Sequence, residues 1–237
     1  MKLFCLPYAG GSARVFAPWQ QALPESIRLR PLELPGRGLR YREPPATDLP
    51  ALVRDLAGIV LAEADEPLAV LGYSFGAFVA FELALSLEQD HGVAVRHLIA
   101  ASARGAVCPP RHPPGRVQGT REFRDRLAAM NGTAPELLRS EELMEIMLPV
   151  LRADFGMSDR YCYRPGPLLS CPVTAFAGAR DPAVSLPSLL AWRECTSGPF
   201  LAHQIPGDHF FLHTARARFL GLIAGELERH STTEGQR

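Results

Sequence analysis

Lysine is all but missing from this chain. Lys2 is the only one, so arginine carries nearly all of the positive charge. Net charge is missing as well, because 25 basic residues balance 25 acidic ones. A general nucleic-acid binder is normally basic, so that class is set aside. Paired cysteines are missing too. Cys5, Cys108, Cys162, Cys171 and Cys195 are odd in number and none forms a C-x-x-C. That argues against a disulfide framework and against a zinc site. No apolar run approaches the length of about 20 residues that a bilayer crossing needs. The opening "MKLFCLPYAGG" has one basic residue and an apolar run that Pro7 cuts short, unlike a signal peptide. The expectation is a cytoplasmic protein without membrane or nucleic-acid partners, working as a monomer.

What is present is the composition of a globular chain, 47% apolar and 21% charged. Its 237 residues suffice for one well-buried core and are short for two, so residues 1–237 are read as a single domain. "KLFCLP" (2–7) reads as a buried strand closed by Pro7 and a Gly10-Gly11 turn. A short helix is expected over 17–23, and "IRLRPLEL" (27–34) alternates like a strand. Asp48 or Thr47 can cap a helix over 49–64. "LAVLGYS" (68–74) is a strand. The run that follows, 75–87, carries a single charge, Glu82, and a helix apolar nearly all round belongs inside a core. Strands are expected at 95–102, 173–178 and 200–206, with helices at 186–195 and about 213–229. Alternating strands and helices predict an α/β fold, a mostly parallel sheet with helices on both faces.

One interval, 103–171, is longer than a single crossover helix requires. It opens with "CPPRHPPG" (108–115), and helices are expected at about 120–130 and 141–156. The second puts Leu143, Ile146, Met147, Val150 and Leu151 on one stripe. Four of the five methionines, Met130, Met144, Met147 and Met157, fall in this interval. Each alone reads as ordinary core packing; together they suit an adaptable apolar cover, a helical lid insertion over about 103–165. Between Arg104 and Arg126 lie arginines 104, 111, 116, 121, 124 and 126, opposed only by Glu122 and Asp125, so this segment is near +4 in a neutral chain. A solvated basic surface and a docking patch for an acidic partner both fit.

The chemistry centres on "VLGYSFGAFVAFELA" (70–84), in which Gly72-Tyr73-Ser74-Phe75-Gly76 is a G-x-S-x-G between a strand and a helix. That context defines a nucleophile elbow. The serine needs a strained backbone to project its oxygen, and the flanking strand and helix crowd the positions two away on either side. A helix starting at residue 75 also aims its amide end at developing negative charge. Serine then needs a base and an orienting acid, in the order Ser, acid, His on this fold. Asp181 in "GARDPAV" and His209 in "GDHFFLH" each follow a strand and land at the same sheet edge as Ser74. His97, His203 and His213 fall in strands or a helix, and Asp208 adjoins His209 too closely in sequence to hold its ring. Two aimed amides complete such a site. One is that of Phe75; the other should come from "LPYAGGSA" (6–13), where Ala9 is the choice and Gly10 stands behind it. A phosphate loop fails there because no Gly-Lys-Ser/Thr follows.

Together "LPYAGGSA", "ELPGRGLR" (33–40), "GYSFGA" (72–77), "GARDP" (178–182) and "GDHFFL" (207–212) resemble the type II thioesterases of polyketide and nonribosomal peptide pathways. These are kin to the medium-chain fatty-acyl thioesterases and belong to the α/β-hydrolase superfamily. Tyr73, Phe75 and Tyr8 stand where members often carry histidine, methionine and histidine. The resemblance implies the α/β-hydrolase fold with a mobile helical lid, and a catalytic triad of Ser74, Asp181 and His209. It implies an oxyanion hole from the amides of Ala9 and Phe75, and no cofactor or metal. It also implies acyl or peptidyl carrier proteins, bearing acyl-phosphopantetheine arms, as partners. A carboxylesterase, a lipase or a medium-chain fatty-acyl thioesterase on the same fold, or a hydrolase fold kept as a ligand receptor, are the rival readings.

Overall fold

The computed structural model describes residues 1–109 and 140–232. Six strands, β1 (Lys2–Leu6), β2 (Arg28–Pro31), β3 (Leu68–Tyr73), β4 (Val95–Ala101), β5 (Val173–Gly178) and β6 (Phe200–Ile205), form one sheet. Their spatial order is β2-β1-β3-β4-β5-β6, and every adjacent pair is parallel. From β1 the chain steps outward to β2, returns past β1 to β3, and then steps steadily the other way. The order therefore reverses at β1 and β3. Loops leaving the carboxyl ends of two such strands diverge and open a crevice, where ligands bind in open α/β sheets.

The helices among the described residues are α1 (Leu49–Leu61), α2 (Phe75–Gln89), α3 (Glu141–Arg160), α4 (Leu186–Leu190), α5 (Phe211–Thr214) and α6 (Arg216–Thr232). β1, β3 and β5 are buried along their whole length, as strands covered on both faces must be. Successive side chains point to opposite faces. Phe4, Leu6, Val70, Leu98 and Ala175 accordingly enter one core with α1 and α2. Leu3, Cys5, Leu71, Ile99 and Phe176 enter a second core with Phe16, Trp19 and α6. In α6, Phe219, Leu220, Ile223 and Leu227 make the buried stripe. The Asp48 carboxylate caps α1 by accepting from the Ala51 amide at 2.8 Å. This is the α/β-hydrolase arrangement expected from the sequence.

Three expectations need correction. The helix expected at 17–23 is instead a pair of 3₁₀ turns, Ala13–Phe16 and Gln20–Ala22, because Pro18 and Pro24 leave no room for a longer run. The helix expected at 186–195 is the short α4 followed by a 3₁₀ turn, Ala191–Cys195, that buries Trp192 and Cys195. His213 lies in the short α5 rather than in the last long helix.

Of the insertion between β4 and β5, the described part after residue 139 is chiefly α3, which runs four residues past its expected end. Its expected stripe holds in part, since Val150 and Leu151 are buried and Met147 is partly buried. Ile146 is 68% exposed, while Met144, Leu151, Ala153, Asp154, Phe155 and Met157 are buried. The expected helix at 120–130, Met130 and Arg111, Arg116, Arg121, Arg124 and Arg126 lie outside the described residues.

Candidate active site

Ser74 sits between the end of β3 and the start of α2 with φ +56° and ψ −117°, a backbone that non-glycine residues rarely adopt. Its amide donates to the Ala101 carbonyl at 2.7 Å and its carbonyl accepts from the Ala77 amide at 2.9 Å, so neighbouring elements hold the strain. The two bracketing glycines are required sterically. A Cβ at Gly72 would overlap the backbone of Gly76 and Ala77, and one at Gly76 would overlap the carbonyls of Leu6 and Pro7 at the end of β1. The first turn of α2 thus packs directly against the loop that leaves β1.

The loops after β3, β5 and β6 converge. Ser74 Oγ lies 2.9 Å from His209 Nε2, and His209 Nδ1 lies 2.7 Å from Asp181 Oδ2. Both the His209 and Asp181 side chains are buried. The other Asp181 oxygen, Oδ1, accepts from the Ala183 amide at 2.7 Å, which fixes the carboxylate plane. Backbone bonds from Ala179 to Ile205 and from Arg180 to Gly207 tie the acid loop to the histidine loop. Asp208 instead turns its carboxylate to the Phe210 amide at 2.9 Å. His97 pairs with Thr174 and His203 stacks on Phe176, both away from Ser74.

Among the described residues neither the Phe75 amide nor the Ala9 amide has a hydrogen-bond acceptor. Phe75 is the first residue of α2, where amides are left unpaired and the helix dipole favours negative charge. Gly10, the reserve choice, is engaged elsewhere, since its amide donates to Asp154 Oδ2 at 2.8 Å.

Sequence reasoning passed over several residues that shape this site. Tyr73 and Ser102 both donate a hydroxyl to the His209 carbonyl, each at 2.7 Å. Ser102 also has a positive φ of +51°, and no glycine bracket announces it. Burial pushes the Tyr73 phenol far above its usual range, so it remains a donor. Arg104, read from sequence as part of an exposed basic segment, is buried. Its guanidinium lies 4.9 Å from the centre of the Phe78 ring and donates to the carbonyls of Tyr161 and Cys108. The Phe78 and Tyr161 rings stack beneath it with centroids 4.5 Å apart.

A cleft of about 530 Å³, counting space open to solvent, leads to Ser74 and His209. Phe78, Phe155 and Val184 give it apolar walls, and Arg104, Ser158 and Asp159 a polar side. Phe155, Ser158 and Asp159 all belong to α3. Among the described residues no group of three or more His, Cys, Asp or Glu could hold a metal ion, and no helix is long and apolar enough to cross a membrane. A serine oxygen next to an imidazole that is itself oriented by a carboxylate is equipped for acyl transfer.

Known proteins resemble the chain along nearly its whole length. A protein of Brevibacillus parabrevis named linear gramicidin dehydrogenase LgrE is 38% identical, covering 96% of this chain and 88% of its own. That name speaks of a dehydrogenase, although the dinucleotide fingerprint G-x-G-x-x-G occurs nowhere in this sequence. Thioesterase PikA5 of Streptomyces venezuelae is 38% identical over 90% of this chain and 76% of its own. The solved structure of the type II thioesterase BorB from the borrelidin biosynthetic cluster superposes with a TM-score of 0.85 at 35% identity, covering 95% and 92% of the two chains. The thioesterase domain family matches residues 1–227, and with these relatives that match makes the chain a member of the thioesterase family, an enzyme of the α/β-hydrolase fold.

Proposed function

We propose that this thioesterase hydrolyses acyl groups from the phosphopantetheine arms of acyl or peptidyl carrier proteins, and so edits a polyketide or nonribosomal peptide synthase. The reading takes residues 1–237 as a single domain acting in the cytoplasm as a monomer. The observation that carries the chemistry is the continuous hydrogen-bonded chain from Ser74 Oγ through His209 to Asp181, at the end of a cleft with apolar walls. His209 takes the Ser74 proton as the oxygen attacks the thioester carbonyl. The tetrahedral oxyanion rests on the amides of Phe75 and Ala9. The carbonyl re-forms, the carbon–sulfur bond breaks, and the pantetheine thiol leaves with the proton from His209. Water then enters, gives a proton to the same imidazole, and releases the free acid and Ser74. Asp181 holds the ring and stabilises the imidazolium that forms twice in the cycle. The helical insertion, of which α3 is the described part, acts as a cover that moves to admit the arm.

The relatives named for antibiotic clusters support the carrier-protein substrate, and the cleft suits a narrow arm ending in an acyl group. The test offers one acyl group in three forms: on a carrier protein, on free pantetheine, and as an oxygen ester. The expected order of kcat/KM places the carrier-protein thioester first and the oxygen ester last. An oxygen ester cleaved as efficiently as the carrier-protein thioester would make the protein a carboxylesterase instead.

A further inference from the structure

The "PGRG" element resembles its family counterpart, yet the triad and the oxyanion amides make no use of its arginine. In the structure Arg37 is buried and reaches Asp154 on α3, which is fully buried. The pair is bidentate, with Arg37 Nη1 2.5 Å from Oδ2 and Nη2 2.8 Å from Oδ1. The guanidinium also donates to the Pro35 carbonyl at 3.3 Å and to the Gly11 carbonyl at 3.5 Å. Oδ2 of the same aspartate accepts the Gly10 amide at 2.8 Å. Three separate pieces of chain therefore meet on one carboxylate: the arginine loop, the insertion helix and the turn after β1.

That turn carries Ala9. Its Gly11 amide bonds the Tyr8 carbonyl at 2.8 Å, and Gly10 in third place has φ +76°, the form of a type II turn. The central peptide carries the Gly10 N–H, and the Ala9 N–H belongs to the peptide before it, so aiming Ala9 requires the whole turn to be held in place. Here Asp154 holds it. Leu151 packs so tightly above that a Cβ on Gly10 would overlap its side chain. One turn further along α3, Phe155, Ser158 and Asp159 wall the cleft. A buried ion pair adds little net stability over apolar residues of the same volume, so its value lies in what it orients.

We infer that Arg37 and Asp154 are positioning residues that lock the oxyanion turn to the insertion helix, so that the Ala9 amide is aimed only while α3 is seated. The inference rests on the proposed role of Ala9. When α3 lifts, Asp154 leaves both Arg37 and the Gly10 amide, and the turn is freed to change. Opening the cleft and disarming the oxyanion site are one event, which keeps an uncovered site from hydrolysing at random.

The test compares wild type, Asp154→Asn and the double substitution Arg37→Met with Asp154→Leu, which replaces the ion pair by apolar side chains. A small neutral acyl thioester of N-acetylcysteamine reads kcat and KM, and amide hydrogen exchange reads the turn directly. The double variant is expected to lose roughly tenfold or more in kcat with KM within about threefold, and Asp154→Asn a smaller part of it. Exchange should quicken in peptide 6–13 and stay unchanged in β5 and β6. A merely structural pair would lower thermal stability and raise exchange broadly without this split. If either folded variant keeps kcat within about twofold of wild type, or exchange in 6–13 stays unchanged, the inference is wrong; should the double variant not fold, Asp154→Asn decides alone. Ser74→Ala is run beside them. If wild-type turnover does not depend on Ser74, the functional reading fails, while the exchange result still judges the lock.

Discussion

At the scale of residues, the site is held as much by hydroxyls as by charges. The His209 carbonyl accepts from both Tyr73 and Ser102, so the imidazole is fixed through its own backbone as well as through Asp181. Tyr73→Phe keeps the ring and its contacts with Phe210, Phe211 and Phe219 but removes one of those donors. A neutral hydrogen bond is worth about 1 kcal/mol, so kcat should fall roughly fivefold with KM unchanged. Steady-state kinetics on a small thioester check this, and a kcat equal to wild type would mean that Asp181 and Ser102 orient the ring without Tyr73. Ser74, Asp181 and His209 were legible because a nucleophile elbow and strand-end loops leave local patterns in sequence. Tyr73 and Ser102 were not, because a side chain reaching another loop's carbonyl leaves none. Asp154 was hidden for a related reason. Hydropathy places a charged residue on the exposed side of a helix, and its partner Arg37 is 117 positions away.

At the scale of elements, α2 shows how a charge survives amid the apolar surface of a helix buried nearly all round. Glu82 is half-buried, and burial holds its carboxyl above the usual range. The Tyr161 hydroxyl donates to it at 2.7 Å, and this bond, with Arg164 nearby, opposes the shift. A carboxyl whose folded pKa exceeds its unfolded one contributes most below the ordinary glutamate range, and that contribution is lost as pH rises through the folded value. Glu82→Gln is neutral at every pH. Its Tm relative to wild type should therefore be close at pH 4 and move progressively in the variant's favour toward pH 8. A difference that is flat or falls across that range contradicts the assignment. The helix itself was legible, with only its end misjudged, since continuous apolar sequence flanked by the elbow admits no other element. In α3 the periodic set found Val150 and Leu151 but not the whole buried face: Ile146 is exposed, and Asp154 is part of what α3 buries. Short pieces near Pro18 and Pro187 tightened to 3₁₀ turns that periodicity does not resolve.

At the scale of the whole molecule, the reversal of strand order at β1 and β3 explains why four distant loops meet. Ala9 follows β1 and Ser74 follows β3, while Asp181 and His209 follow β5 and β6 at the same carboxyl edge. Alternating strands and helices made this architecture readable from sequence, whereas the strand order required the pairing itself. Docking of the proposed carrier-protein substrate also belongs to this scale. Carrier proteins of the resembled pathways are acidic, and arginine forks onto carboxylate and phosphate alike. Arg104 is buried and so leaves that surface. Arg121→Glu with Arg124→Glu should weaken hydrolysis of an acyl-carrier protein, in a manner that fades with salt, and leave a short neutral thioester unaffected. Equal losses on both substrates would remove the segment from docking. The central claim is that Ser74 carries the acyl group. Mixing enzyme with an acyl-carrier protein, quenching within the first turnover and locating the adduct by mass spectrometry tests it directly. The acyl group should sit on Ser74, and Ser74→Ala should show no adduct and a loss of about 10³-fold or more in turnover. An adduct on any other residue, or near-normal hydrolysis by Ser74→Ala, would contradict the account.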